Sequence, residues 1–320
     1  MQTIYSRQEK ALGSIKRLKD VSIAIIGAGS IGSFLSELLL RSGFQRIKII
    51  DRDFVEPENL SCQNFLMNDV GLPKALVLAK RLRKINENAK IKYKVTDLNH
   101  ENIEILDESE IIFDCTDNMI TRFLINDYCV KNSKTWFYAA VSGRTGYSFA
   151  VFPGKACLRC FIKEPTITET CETTGLIANL PILISSIQVS RAINYILYGV
   201  EDNDFITIDA LKGEIKKFLV KKNKKCECCV KGNFEFLKGK GSEMSSLCGN
   251  DAFQIKLKQK IDFNELNRLQ KIGSVNMNKH IFHFTTGKIS ISVFKDGRII
   301  VKGVKSEKEA KKIVARYLGI

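Results

Sequence analysis

Four cysteines are spaced for metal binding. Cys157 and Cys160 form one C-x-x-C pair, and Cys226 and Cys229 form another. Two such pairs supply the four thiolates of a tetrahedral zinc site. The stretch between them is far longer than in a zinc ribbon, so the ion would staple two distant segments. Cys228, inside the second pair, is an alternative ligand, but the spacing favours Cys229. A second group of residues suits phosphate chemistry. The sequence GAGSIG (residues 27–32) matches G-x-G-x-x-G. Gly27, Gly29 and Gly32 let the backbone approach phosphates, and a helix beginning at Ser30 would present free N–H groups and the positive end of its dipole. Asp51 follows Gly27 by 24 positions, near the spacing of a ribose-hydroxyl ligand.

Three later features suit a triphosphate better than a dinucleotide. PENLSCQ (57–63) places Asn59 and Gln63 after the second strand. Lys74, behind Pro73, opens a helix where it can neutralise a phosphate. DCTDN (114–118) puts Asp117 at a strand's C-terminal end, where a doubly wound sheet binds ligands and a carboxylate can hold Mg²⁺ beside phosphates. Each has a plainer reading: Lys74 as a solvated helix start, Asp117 as a helix N-cap, Asn59 as a turn residue, the glycines as packing. Their joint order argues for ATP and Mg²⁺.

Strands and helices must alternate to position these groups. VSIAIIG (21–27) is an apolar run ending in glycine, as a buried parallel strand requires. A helix over 30–43 and a strand over 46–53 complete a βαβ unit, which predicts a doubly wound, mostly parallel α/β sheet. Helices are expected over about 6–18, 73–86, 121–131 and 181–197. Further strands are expected over 91–98, 110–117 and the two runs TWFYAAVSG and YSFAVF, with 161–181 as a loop. The nucleotide-site unit spans 1–232, a Gly/Ser/Lys-rich linker 233–250, and a small α+β domain 251–320. In that tail KISISVF and RIIVKG flank Lys295-Asp296-Gly297 as a hairpin, and Ser306 with Glu309 caps a last helix whose Ala310, Ile313, Val314, Tyr317 and Leu318 share a face.

The chain has 320 residues, is 44% hydrophobic and carries a net charge of +15. That charge admits nucleic acid as a partner, but the basic residues are dispersed and do not favour it. No apolar run approaches the ~20 residues of a membrane span, and MQTIYSRQEK lacks a signal peptide's apolar core. A cytoplasmic protein is expected, and ten cysteines in a reducing compartment point to metal or chemistry. Cys115 and Cys129 fall on core positions. His100, His280 and His283 pair with no nucleophile.

YSRQ, GAGSIG, IIDRD, ENLSCQ, GLPKA, DCTDN, CLRC and CECC, in that order over about residues 1–232, resemble the MoeB/ThiF/HesA family of ubiquitin-activating-enzyme-like adenylyltransferases. The Cys-Gly-Asn-Asp start and Phe-Lys-Asp-Gly-Arg hairpin of the tail resemble a C-terminal extension of some archaeal-type and bacterial ThiF-like proteins. The resemblance implies a Rossmann-like sheet with a zinc-stapled segment and ATP-dependent adenylation of the C-terminal glycine of a small β-grasp carrier protein ending in Gly-Gly. It places Gly27, Gly29, Ser30 and Gly32 at the ATP loop, Asp51 at the ribose, Asn59, Gln63, Lys74 and Asn118 in the nucleotide site, and Asp117 on Mg²⁺. It implies a homodimer in which Arg7 crosses to the partner's phosphates, and zinc on Cys157, Cys160, Cys226 and Cys229. Cys171 matches a position that can carry a thioester or persulfide; Cys248 is a weaker candidate. One residue departs from the pattern: Cys62 stands where the family has arginine, which leaves Arg52 as a substitute cation, or a weaker or different activity. The rival readings are a tRNA-modifying dehydratase of the same superfamily, an NAD-dependent oxidoreductase and a non-catalytic dimer scaffold.

Overall fold

The computed structural model describes residues 4–164, 174–241, 252–257, 261–278, 281–294 and 297–319. Cys171, Cys248, His280, Lys295 and Asp296 lie outside the described residues. The N-terminal helix expected over 6–18 is two helices, α1 (Ser6–Leu12) and α2 (Lys16–Asp20), because Gly13 ends the first with φ of 78°, a conformation closed to most side chains.

Then come β1 (Ser22–Ile26), α3 (Ser30–Ser42), β2 (Arg46–Asp51), α4 (Lys74–Ile85), β3 (Lys90–Val95), β4 (Ile111–Asp114), α5 (Met119–Lys131), β5 (Thr135–Ser142) and β6 (Thr145–Val151). A long helix, α6 (Leu180–Tyr198), precedes β7 (Asp204–Asp209) and β8 (Glu214–Leu219). These eight strands form one sheet in the order β3-β2-β1-β4-β5-β6-β7-β8. Pairing is parallel from β3 to β5 and antiparallel from β5 to β8. The sheet is therefore doubly wound, with its order reversing between β1 and β4.

Both faces are covered, which is why residues 23–26 of β1 are all apolar. Ile23 and Ile25 pack on the side of α3, α4 and α6; Ala24 and Ile26 pack on the side of α5. By length and composition α6 is able to cross a membrane, with 19 residues and a mean hydropathy of 1.3, contrary to the expectation that no run would be. Half of it is buried here, with Leu180, Ile184, Val189, Ala192 and Ile196 in the core beside α3, β5 and β6.

The tail forms a second sheet from β9 (Ala252–Lys256), β10 (Ser274–Met277), β11 (Ile281–Thr286), β12 (Ile289–Phe294) and β13 (Arg298–Lys302), antiparallel in the order β10-β11-β12-β13-β9. One face is covered by α7 (Glu307–Leu318) and a 3-10 segment, Phe263–Lys271. Ser306 accepts from the Glu309 amide at the start of α7, and Ala310, Val314 and Leu318 are buried against Phe282, Phe284, Ile291, Val293, Ile299 and Val301.

Candidate nucleotide and zinc sites

The reversal between β1 and β4 opens the crevice in which such sheets hold ligands. Gly27 ends β1 with φ of 90°, and a Cβ there would come within 2.6 Å of the Cys115 carbonyl oxygen just beyond β4. A Cβ on Gly32 would meet the Gly27 carbonyl oxygen at 1.9 Å, so this glycine lets α3 pack onto β1. A Cβ on Gly29 would meet nothing within 4 Å, which leaves open approach to the backbone at the N-terminus of α3.

Asp51, at the end of β2, reaches this loop. It accepts 2.6 Å hydrogen bonds from the Ala28 and Asp53 amides. Burial and the neighbouring Asp53 charge raise its carboxyl to about 6, against the opposing pull of Lys74 and the two amides. Lys74 opens α4 and is only 7% exposed. Its backbone amide donates to the Asp53 carbonyl at 2.9 Å. Among the described residues its ammonium has no carboxylate within salt-bridge distance, so a mostly buried cation is disposed toward an anionic ligand.

Asn59 Oδ1 accepts from the Glu56 amide, which commits that atom to the local turn. The Gln63 side-chain oxygen is buried without a partner among the described residues, an amide end fitted to a ligand. Ser30 Oγ lies 3.8 Å from the Cys62 sulfur, so the position of the missing arginine borders the glycine loop. Arg52 is not a free substitute: it pairs with Asp53 at 3.6 Å and Asp97 at 3.3 Å. Burial pulls its guanidinium down, yet Asp53, Asp97, Asp117 and Asp51 hold it above its ordinary value.

β4 ends at Asp114, three residues earlier than expected, so Asp117 is exposed in the following loop. Asp114 is buried and accepts from the amide and hydroxyl of Thr116. Asn118, not Asp117, caps α5, with Oδ1 accepting from the Ile120 and Thr121 amides. Asn118 also lines a surface cleft with Leu98, His100, Ile120, Phe236 and Lys240. Sequence reading missed this cleft. Residues 233–241, read as linker, form one of its walls: Phe236 stacks on Phe123 of α5 at 5.0 Å. Arg7 is exposed on α1.

The sulfurs of Cys157, Cys160, Cys226 and Cys229 all lie within 4.8 Å of one another. Cys157 is 3.7 Å from Cys226, and Cys160 is 3.5 Å from Cys229. A tetrahedron with Zn–S bonds of about 2.3 Å has edges of about 3.8 Å, so the four thiols fit zinc. Cys228 borders the cluster but is not one of the four close-set sulfurs, and it accepts from Asn126 Nδ2 at 3.3 Å. Between the first two ligands Arg159 is buried and paired with Asp127 at 3.0 Å, which ties the staple to α5.

A ThiF family model matches residues 5–230. The chain belongs to the ThiF family. The ThiF region is followed by residues 248–320, which match the model of transcription factor TFIID, or TATA-binding protein. The sulfur carrier protein ThiS adenylyltransferase of Bacillus subtilis is 32% identical over 98% of this chain and 99% of its own length, so its likeness to this ThiF protein includes the tail. The sulfur carrier protein adenylyltransferase of Thermus thermophilus is 31% identical over 67% of this chain and 84% of its own. The crystal structure of E. coli MccB with ATP shares the ThiF fold, with a TM-score of 0.63 at 22% identity over 71% of this chain and 75% of that one.

Proposed function

We propose that this protein is an ATP-dependent adenylyltransferase acting on the C-terminal carboxylate of a small sulfur-carrier or ubiquitin-like protein. The observation that carries the reading is the convergence of the glycine loop, Asp51 and the mostly buried Lys74 at one strand edge, in a chain that aligns end to end with the Bacillus ThiS adenylyltransferase.

The substrate carboxylate is ionised at neutral pH and needs no general base. One of its oxygens bonds to the α-phosphorus while the bridge to the β-phosphate breaks, giving acyl-adenylate and pyrophosphate. The chain's contribution is positioning and charge neutralisation. Asp51 accepts from the ribose hydroxyls. The amides at Gly29 and Ser30, Gln63 and Lys74 hold the phosphates, and the Leu98–Phe236 cleft takes the base. Asp117 would hold Mg²⁺, which when bound offsets phosphate charge. Arg7 would act on a second copy, in line with its exposure and with the bare Leu66 and Met67, 64% and 71% exposed. Zinc held by Cys157, Cys160, Cys226 and Cys229 would be structural. Cys171 would attack the acyl-adenylate, its sulfur bonding to the acyl carbon as a thioester while AMP leaves. ATP and reduced thiols together suit the cytoplasm. β8 is exposed along its whole length, with Ile215, Phe218 and Leu219 bare, and offers an edge to a protein substrate.

The test is intact-mass analysis of a Gly-Gly carrier incubated with the protein and Mg·ATP. Gain of one adenylyl group supports the reading; AMP release that requires tRNA and leaves every carrier unmodified contradicts it.

The Asp51 carboxyl adds a pH prediction. Its pKa is raised on folding, so the folded protein binds a proton below about pH 6 that the unfolded chain binds only near 4. The ionised form accepts from the ribose, so nucleotide affinity should fall as pH drops through 6. Because ATP also titrates, the measurement is the ratio of wild-type to Asp51→Asn affinity. That ratio should collapse toward one on acidification; a ratio independent of pH would refute the assignment.

A further inference from the structure

The second sheet has an open face opposite α7. By register it presents Ile281, His283, Ser292, Phe294, Arg298, Ile300 and Lys302. Sheets of TATA-binding proteins lie on the DNA minor groove. Here the open face is seated on residues 52–56 of the ThiF region. Phe54 is buried against Ile281 and Phe294, with its ring 6.0 Å from those of Phe294 and His283. Arg298, 5% exposed, donates to the Arg52 carbonyl at 3.2 Å. Lys302 pairs with Glu56 at 2.6 Å, and Asn278 donates to the Gly71 carbonyl at 2.6 Å.

Residues 52–56 link the two halves of the nucleotide site. The Asp53 amide donates to Asp51, and the Asp53 carbonyl accepts from the Lys74 amide. Phe54 bridges to Pro73, Val55 donates to the Leu72 carbonyl, and Gly71 donates back to Val55. Whatever fixes this segment therefore fixes both the ribose carboxylate and the start of α4. Charge acts at the same place. Burial works against the Asp53 carboxylate, but Arg52, Lys74, Arg298 and Lys302 together hold it below the ordinary range.

We propose that the C-terminal sheet is a clamp for the nucleotide site, with Arg298 and Lys302 as positioning residues that hold residues 52–56 so that Asp51 and Lys74 are aligned before ATP arrives. The proposal rests on the ATP reading above. Alignment made in the free protein is not charged against binding, so loosening the clamp weakens nucleotide affinity while the carrier's own contacts are untouched.

The experiment uses the full chain and calorimetric binding of Mg²⁺ with a non-hydrolysable ATP analogue, α,β-methylene-ATP. Lys302→Glu should weaken binding about tenfold, and the paired exchange Glu56→Lys with Lys302→Glu should restore it. In exchange assays the KM for ATP should rise while the KM for the carrier and the zinc content stay constant. Asn278→Ala, a milder change on the same face, should act in the same direction if Lys302→Glu does not fold. Wild type that binds the analogue, with the variants within about twofold, overturns the clamp and leaves the ATP reading standing. A proportionate rise in both KM values reads as general damage and also overturns it. Wild type that does not bind the analogue refutes the ATP reading and the clamp with it.

Discussion

Asp117→Ala should lower ATP–pyrophosphate exchange by about a thousandfold or more, with the fold and zinc content unchanged. The size follows from the chemistry: removing one preorganised group that offsets developing charge costs about 10²–10³ in rate, and a carboxylate that holds a divalent cation removes the cation as well. The selectivity follows from the structure. Asp117 is exposed in the loop after β4 and caps nothing, since Asn118 caps α5. Its loss should therefore leave the melting temperature within about 2 °C, as for a surface substitution. Asp114→Ala is the contrast. That side chain is buried, with Thr116 donating to it twice, so its loss should lower stability as well as rate. Exchange that survives Asp117→Ala would show the metal assignment to be wrong.

Removing zinc should have the largest effect on stability. The four thiols join residues 157–160 to 226–229, segments held on α5 by the buried Arg159–Asp127 pair and by Phe236. A structural zinc contributes apparent binding free energies of about 10–16 kcal/mol in peptides, comparable with the whole stability of a domain. Cys226→Ser, or a strong chelator, should lower the melting temperature by more than about 10 °C. Phe236 and Lys240 line the cleft beside Asn118, so nucleotide binding should fall with it. Cys228→Ser tests the ligand choice: it should retain one zinc per chain, because the four mutually close sulfurs are those of Cys157, Cys160, Cys226 and Cys229. Zinc-free protein with an unmoved melting temperature would contradict a stapling role.

The parts of this protein legible in its sequence are those with a local physical signature. β1 was readable because both of its faces are buried, β2 because Ile47, Ile49 and Ile50 are buried apolar residues, and α3 because Gly43 stops it in the left-handed conformation with φ of 117°. The glycine loop, Asp51, Lys74 and the two C-x-x-C pairs are fixed by spacing along short segments. β8 gave no signal because it is exposed on both faces, so its EIKKFL carries no alternation. β7 was missed as well, its apolar residues set between Asp204 and Asp209. The N-terminal helix was overextended because its periodicity runs through Gly13. The cleft wall was hidden for another reason: Phe236 meets Phe123 across more than a hundred residues of chain, a contact no local pattern encodes. The seating of the second sheet on Phe54 is of the same kind.

Adenylation of a protein carboxylate is reversible, so isotope exchange between pyrophosphate and ATP reports on it without any later step. Exchange should appear only when a small β-grasp carrier ending in Gly-Gly is present, and should be lost when the carrier's terminal carboxylate is amidated. Exchange indifferent to that carboxylate, or none with any such carrier, would contradict it.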